Sequence, residues 1–106
     1  MRIKSYVVYM LLCSDGSFYV GATTDLGLRI GWHNEALDPF CYTYGRLPVQ
    51  LVWSETFSDW NEALTRERQV KGWSRSKKMA LVEGDWDEIQ RLARLRNQGR
   101  KAESPR

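Results

Sequence analysis

The chain has 106 residues, of which 42% are hydrophobic, 12% aromatic and 27% charged, and its net charge is +3. This length allows one modest core and excludes two ordinary domains, while the apolar content excludes a disordered chain. No apolar run approaches the roughly 20 residues that cross a bilayer, so we expect a cytoplasmic protein without a membrane partner. Cys13 and Cys41 lack the close spacing of a thiolate metal site and are expected to be free thiols.

The first predicted element is a β-hairpin formed by residues 6–13 and 17–22. A three-residue loop with Gly16 in the left-handed conformation would pair Tyr9 with Gly21 and leave one face of the hairpin wholly apolar. A two-residue turn would mix polar and apolar residues on both faces. Because burial requires an apolar face, the sequence favours the three-residue loop.

The remaining elements follow from hydrophobic periodicity and capping residues. They are a helix to about residue 36, a loop over 37–48, a strand over 49–57, and helices over 60–73, 74–82 and 85–98. Thr24 or Asp25 is the expected cap of the first helix, and Asp59 with Glu62 resembles a capping box at the start of the second.

These elements predict an α/β chain of the α+β type, in which a three-stranded antiparallel sheet is flanked by helices. Residues 1–84 are expected to form one domain, with the helix over 85–98 packed on it and a disordered tail over 99–106. Four tryptophans are expected to be core or interface anchors. They are Trp53, Trp60, Trp73 and Trp86.

The second long helix contains an anomaly. Its apolar face is defined by Trp60, Ala63, Leu64 and Val70, and Glu67 falls in the middle of that face. A carboxylate buried there is costly unless a cation or hydrogen bonds compensate it. The sequence therefore predicts a positive group opposite Glu67, although a surface pair with a neighbouring basic residue of the helix would also satisfy it.

Five residues have the chemistry that cleavage of a phosphodiester needs. They are Tyr9, Tyr19, Arg29, His33 and Glu67. The reaction requires an activated water, neutralised phosphate oxygens and a stabilised leaving alkoxide. A phenol near a cation can orient or deprotonate water, and a guanidinium binds phosphate. With one histidine and no Gly-rich phosphate loop, the chain does not fit a serine-hydrolase triad or a nucleotide-binding loop.

The stretch VVYMLLCSDGSFYVGATTDLGLRIGWHN resembles the core of the GIY-YIG nucleases. VVY, ending at Tyr9, is in the GIY position, and YVG, beginning at Tyr19, is in the YIG position. The later stretch EALTRERQVKGWSRSKK resembles the second helix of the same family. The likeness covers about residues 4–82 and is greatest to small stand-alone bacterial proteins of this type.

The resemblance implies a role for each of the five residues. Tyr9 would position or activate the water, and Tyr19 would support that network and the phosphate. Arg29 would stabilise charge on the phosphate, and His33 would transfer a proton or contact the phosphate. Glu67 would hold one Mg²⁺ or Mn²⁺ ion, which would supply its missing partner. No organic cofactor is implied.

The expected activity is therefore metal-dependent hydrolysis of DNA, in repair or recombination and with little base specificity. One alternative is a nucleic-acid-binding module that has the same fold but weak catalysis. Another is a protein-interaction domain that uses exposed tryptophans, whose binding would survive high salt.

Overall fold

The computed structural model describes residues 5–36 and 38–103, with side chains as far as residue 95. The elements, in chain order, are β1 (Tyr6–Leu12), β2 (Phe18–Thr23), α1 (Leu26–Asn34), β3 (Gln50–Phe57), α2 (Trp60–Lys71), α3 (Arg75–Val82) and α4 (Trp86–Glu103). The three strands form one antiparallel sheet in the order β2-β1-β3. The predicted fold class is confirmed.

The hairpin has the predicted register. Tyr9 pairs with Gly21, and Leu11 pairs with Tyr19. Gly16 has a φ of 84°, and its N–H donates to the Cys13 carbonyl at 2.9 Å. Because glycine adopts positive φ without steric cost, the three-residue loop forms and fixes which side chains share a face.

The central strand β1 is buried on both faces. Val8, Tyr9, Met10 and Leu11 are at most 2% exposed. Tyr9 and Leu11 belong to a cluster that also contains Cys13, Val49, Tyr19, Leu26, Ile30 and Leu47. The hairpin, α1 and the segment before β3 therefore pack around the Tyr9 side of the sheet.

Side-chain caps fix where the helices begin. Asp25 rather than Thr24 caps α1, and its carboxylate accepts from the Leu28 N–H at 3.1 Å. Asp59 caps α2 and accepts from the Glu62 N–H at 3.3 Å. These bonds satisfy backbone donors that have no partner within the helix. The observed ends of α1 and α2 fall about two residues before the predicted ends, since the last turns of both helices were assigned by periodicity alone.

The chain divides after Gly72 into two compact units. All five candidate site residues lie in the first unit. The second unit contains α3 and α4, which contact each other. The domain boundary after Gly84 and the packing of the last helix on the nuclease domain stay predictions.

The last helix is longer than predicted. It runs to Glu103 rather than to about residue 98, so the disordered tail expected from residue 99 does not begin there. Residues 104–106 of that tail lie outside the described residues. No helix in the described part of the chain has the length and apolar content needed to span a membrane.

Two of the four tryptophans are not buried in the core. Trp60 is 38% exposed and Trp86 is 45% exposed, so of the two roles expected for them only that of an interface anchor stays a prediction. Each indole instead lies against another aromatic ring. Trp60 lies 5.0 Å from Tyr6, and Trp86 lies 6.5 Å from Trp73, between ring centroids. Periodicity identified the face of each helix but not how completely a neighbour covers it.

Candidate active site

The centre of the site is a hydrogen bond between two buried side chains. The hydroxyl of Tyr9 lies 3.0 Å from Nε2 of His33, although the two residues come from β1 and α1. Both are 2% exposed. The other ring nitrogen of His33, Nδ1, lies 2.8 Å from the Thr43 hydroxyl. The imidazole is therefore held on both sides without contact to bulk water.

Tyr19 adds a second phenol to this pair. Its ring centroid lies 5.0 Å from that of His33 and 6.2 Å from that of Tyr9. The hairpin register explains the proximity, because Tyr9 and Tyr19 are two positions apart along the same face of adjacent strands. The two tyrosines are thus brought together as predicted.

Gly21 is the residue that makes room for Tyr9. A Cβ atom at position 21 would lie 2.6 Å from the Tyr9 hydroxyl and 3.1 Å from the Tyr19 ring. Distances under 3.0 Å are essentially never seen for real Cβ atoms. Only glycine fits opposite Tyr9, which explains in steric terms why the YVG segment that begins at Tyr19 ends in a glycine.

Arg29 brings a permanent positive charge to the site. Its guanidinium lies 5.0 Å from the centroid of the Trp32 ring, and both residues line a surface cavity of about 510 Å³. Of the five predicted residues, Arg29 alone lines this cavity among the residues described.

The electrostatic environment keeps the central groups neutral. Burial raises the pKa of Tyr9 well above its ordinary value of 10.0, and Tyr19 adds to the rise. Burial also raises the pKa of Tyr19, and the charge of Glu67 contributes in the same direction. Burial lowers the pKa of His33 from 6.5, and the positive charge of Arg29 lowers it further. Near neutral pH both phenols are protonated and the imidazole is uncharged.

Glu67 lies on α2, which contacts all three strands. Its side chain is 17% exposed, and Nζ of Lys71 lies 3.3 Å from its Oε2. Of the two arrangements that the sequence left open, the structure shows the pair with a basic residue of the same helix, Lys71, one turn further along. The Glu67 carboxylate is close enough to Tyr19 to affect its pKa, so it belongs to the electrostatic surroundings of the two phenols.

The donor set permits one kind of metal site. Within residues 5–36 and 38–103, no group of three or more His, Cys, Asp or Glu side chains is arranged to hold a metal ion. A site that needs several protein ligands, such as structural zinc, therefore does not fit. Mg²⁺ usually keeps several waters and needs only one or two carboxylates together with substrate phosphate oxygens. The partly buried carboxylate of Glu67 fits that requirement.

The segment before β3 contributes groups that were not predicted. Besides Thr43, Sγ of Cys41 lies 3.8 Å from Nδ1 of His33. The Tyr42 ring stacks on Tyr19 at 6.2 Å, and the Arg46 guanidinium lies 4.1 Å from the centroid of the Tyr42 ring. The contacts of this segment with His33 and Tyr19 join different elements of the fold, and no local pattern signals them.

The segment is also fixed to the hairpin turn. The Arg46 Nε donates to the Asp15 carboxylate at 2.9 Å, and a second guanidinium nitrogen donates to the Tyr42 carbonyl at 2.7 Å. The Ser14 N–H donates to the Arg46 carbonyl at 2.8 Å. Within the loop expected over residues 37–48, these hydrogen bonds therefore hold the part that contacts His33 and Tyr19 against the hairpin turn.

The sheet thus brings two tilted phenols and a buried histidine together, with an arginine and a glutamate near enough to affect their pKa values. The GIY-YIG catalytic domain matches residues 5–80, and the chain belongs to the GIY-YIG family. Domains of this family are of the nuclease type, bind nucleic acid and generally use a divalent metal ion.

Small proteins of similar length are among the relatives. The chain is 45% identical to a UPF0213 protein of Haloquadratum walsbyi, over 77% of this chain and 91% of that one. It is 41% identical to a UPF0213 protein of Lacticaseibacillus paracasei, over 78% and 92%. The solution structure of protein EF2693 from E. faecalis matches with a TM-score of 0.55 and 34% identity, over 76% and 85% of the two chains. The names of these relatives specify no reaction.

Proposed function

We propose that this protein is a metal-dependent endonuclease that hydrolyses phosphodiester bonds in DNA. The observation that carries the proposal is the buried hydrogen bond between the Tyr9 phenol and the His33 imidazole, beside Tyr19. Arg29 and Glu67 are close enough to change the pKa of Tyr19 in opposite directions. This set supplies a proton acceptor, a phosphate-binding cation and a metal-binding carboxylate to one region.

The chemistry begins with the attacking water. As the water attacks the phosphorus atom, one of its O–H bonds breaks and that proton passes to the Tyr9 oxygen. The phenol proton of Tyr9 passes at the same time to Nε2 of His33, 3.0 Å away. Because the pKa of Tyr9 is raised, this tyrosine is not deprotonated before the reaction and does not act as a phenolate base. The neutral imidazole of His33 is the final proton acceptor.

The charged residues act on the phosphate. The Arg29 guanidinium binds the non-bridging oxygens through paired N–H donors and stabilises the charge that develops on them. Tyr19 donates a hydrogen bond to the phosphate or to the attacking water. Glu67 holds the divalent ion, Mg²⁺ or Mn²⁺, which when bound would neutralise phosphate charge and stabilise the departing alkoxide.

The experiment is a cleavage assay with purified protein. Supercoiled, single-stranded and branched DNA are incubated with Mg²⁺ or Mn²⁺ and then with a chelator. Cleavage should require the metal and should be abolished in Glu67→Gln, Arg29→Ala and Tyr9→Phe. The matched control is Glu62→Gln, which removes an exposed carboxylate from the same helix and should cleave normally.

Two outcomes would overturn the mechanism. Cleavage that persists in chelator would show that the reaction needs no metal ion. Cleavage that survives Glu67→Gln would show that Glu67 is not the ligand of the metal ion. The comparison of DNA forms also tests the substrate. We propose a role in repair or recombination, with DNA shape rather than base sequence as the signal, and this requires branched or single-stranded DNA to be preferred.

A second candidate is a nucleic-acid-binding module with weak catalysis. It is favoured by the ion pair between Lys71 and Glu67, because a metal ion must compete with the ammonium group for the carboxylate. In that case DNA binding would persist in the three variants and would not require metal. Binding in either case should weaken steeply as salt rises, which separates both candidates from a protein-interaction domain.

A further inference from the structure

Thr43 is a buried residue in contact with the catalytic histidine. It is 1% exposed, and its hydroxyl lies 2.8 Å from Nδ1 of His33. The same hydroxyl lies 3.4 Å from Sγ of Cys41. A threonine hydroxyl has one proton and two lone pairs, so it can serve Nδ1 as a donor or as an acceptor.

Each possibility fixes the whole chain of hydrogen bonds. If Thr43 donates to Nδ1, the ring proton is on Nε2 and His33 donates to the Tyr9 oxygen. If Thr43 accepts from Nδ1–H, then Nε2 carries a lone pair and accepts from the Tyr9 hydroxyl. In the second arrangement the Thr43 proton points to Cys41 Sγ, a weak acceptor at a suitable distance.

The relative acidity of the two hydroxyls decides between the arrangements. A phenol is a stronger proton donor than an alcohol, because its aromatic ring stabilises the anion. Burial raises the pKa of Tyr9, but the Thr43 hydroxyl is buried as well, so the order of the two donors is kept. The unprotonated imidazole nitrogen is the best acceptor in the cluster, and it forms the stronger bond with the stronger donor. The Tyr19 oxygen is a second acceptor within reach of the Tyr9 hydroxyl, but a phenol oxygen is a weaker acceptor than a neutral imidazole nitrogen. The phenol of Tyr9 therefore donates to Nε2, which leaves the proton of His33 on Nδ1, where Thr43 accepts it.

We infer that Thr43 is a positioning residue that holds the Nδ1 proton of His33, so that Nε2 presents its lone pair to the Tyr9 hydroxyl. This inference rests on the proposed function only for its catalytic consequence. The tautomer makes Nε2 able to receive the phenol proton, and the bond to Thr43 stabilises the imidazolium that forms. The tautomer of a histidine is generally set by the bond that its other nitrogen makes.

The test reads the tautomer directly by NMR. The untagged chain has one histidine, so its imidazole signals are unambiguous. Long-range ¹⁵N–¹H spectra, recorded at a pH where the ring is neutral, should show the proton on Nδ1 in the wild type. A wild-type spectrum with the proton on Nε2 would overturn the inference whether or not the protein cleaves DNA.

Two variants test the role of the hydroxyl. Thr43→Val has nearly the same shape but no acceptor, so the Nδ1 proton signal should move upfield. Cleavage should fall by about 10- to 100-fold, by analogy with the loss found when the partner that orients a metal-binding histidine is removed. Thr43→Ser retains the hydroxyl and should restore both the signal and most of the rate.

The outcomes separate this inference from the proposed function. If the chemical shift of the Nδ1 proton were unchanged in Thr43→Val, the hydrogen bond between Thr43 and His33 would be excluded. If the rate of cleavage were unchanged in this variant, the positioning role would be excluded. If the valine variant fails to fold, the wild-type tautomer and the rate of Thr43→Ser still decide. If the wild type shows the Nδ1 tautomer but cleaves no DNA, the proposed function fails and the assignment of Thr43 to the Nδ1 proton remains.

Discussion

Replacing Gly21 by alanine should disrupt the site through a single methyl group. The added carbon would lie 2.6 Å from the Tyr9 hydroxyl and 2.8 Å from the ring carbon that carries it. Tyr9 is 2% exposed, and its hydroxyl is already bonded to His33. The phenol therefore has no open space into which it can turn.

The size of the effect follows from these distances. Non-bonded heavy atoms prefer separations of about 3.5–4.0 Å, so the phenol must move by roughly 1 Å. Overpacking of this kind costs about 1–3 kcal/mol in the free energy of unfolding. A shift of that size would also lengthen the 3.0 Å bond between Tyr9 and His33 beyond hydrogen-bonding distance. Misplacement by about 1 Å can cost roughly 100-fold in rate, and we expect a loss of that order.

The assay combines urea unfolding with the rate of metal-dependent DNA cleavage. Gly31→Ala is the matched control, since a Cβ at Gly31 in α1 meets no atom within 4 Å. It should keep the wild-type rate and gain up to about 1 kcal/mol, because alanine favours a helix over glycine. If Gly21→Ala were as stable and as active as the wild type, Tyr9 would have room to move, and the argument for a fixed Tyr9–His33 geometry would be wrong.

Two further predictions concern the histidine and the loop that supports it. Burial lowers the pKa of His33 below 6.5, so at acidic pH the unfolded chain binds a proton that the folded chain does not. The stability of the fold should therefore decrease as the pH drops below about 6.5. His33 can change the free energy of unfolding by at most about 1.4 kcal/mol per pH unit. This pH dependence should be absent when His33→Gln is unfolded in urea. An equal pH dependence in that variant would assign the effect to other groups. Arg46→Ala removes the bonds to Asp15 and Tyr42. The loss of stability should be small, because the ion pair is exposed. The rate of cleavage should fall, because the loop before β3 is no longer held against the hairpin turn. Asp15→Asn, which leaves the Tyr42 contacts in place, should reduce cleavage less, and equal rates in Arg46→Ala and the wild type would show that the loop needs no such anchor.

Local interactions account for what the sequence predicted correctly. The alternation of apolar residues and a glycine at position 16 were enough to set the hairpin register, and through it the proximity of Tyr9 and Tyr19. The helix starts were predicted from Asp59 and from Thr24 or Asp25, and the carboxylates of Asp25 and Asp59 bond to backbone N–H groups three residues later. These interactions span few residues, so their patterns are visible in the sequence.

The surroundings of the site could not be predicted in this way. Nothing in the sequence near His33 indicates that Thr43 holds its ring or that Cys41 lies beside it. The sequence did not decide between core and interface positions for Trp60 and Trp86 for a related reason, since the apolar face of a helix does not reveal how much of it a neighbour covers. In both cases the outcome depends on where a distant segment of chain packs.

The sequence by itself determined the strands, the helix starts, the family and the chemical types at the site, because periodicity, caps and motif spacing act over short stretches of chain. Only the tertiary structure decided that the Tyr9 hydroxyl meets Nε2 of His33 and that Lys71 pairs with Glu67. Burial then set the direction of each pKa shift, since desolvation depends on all the atoms packed around a group and not on its neighbours in sequence.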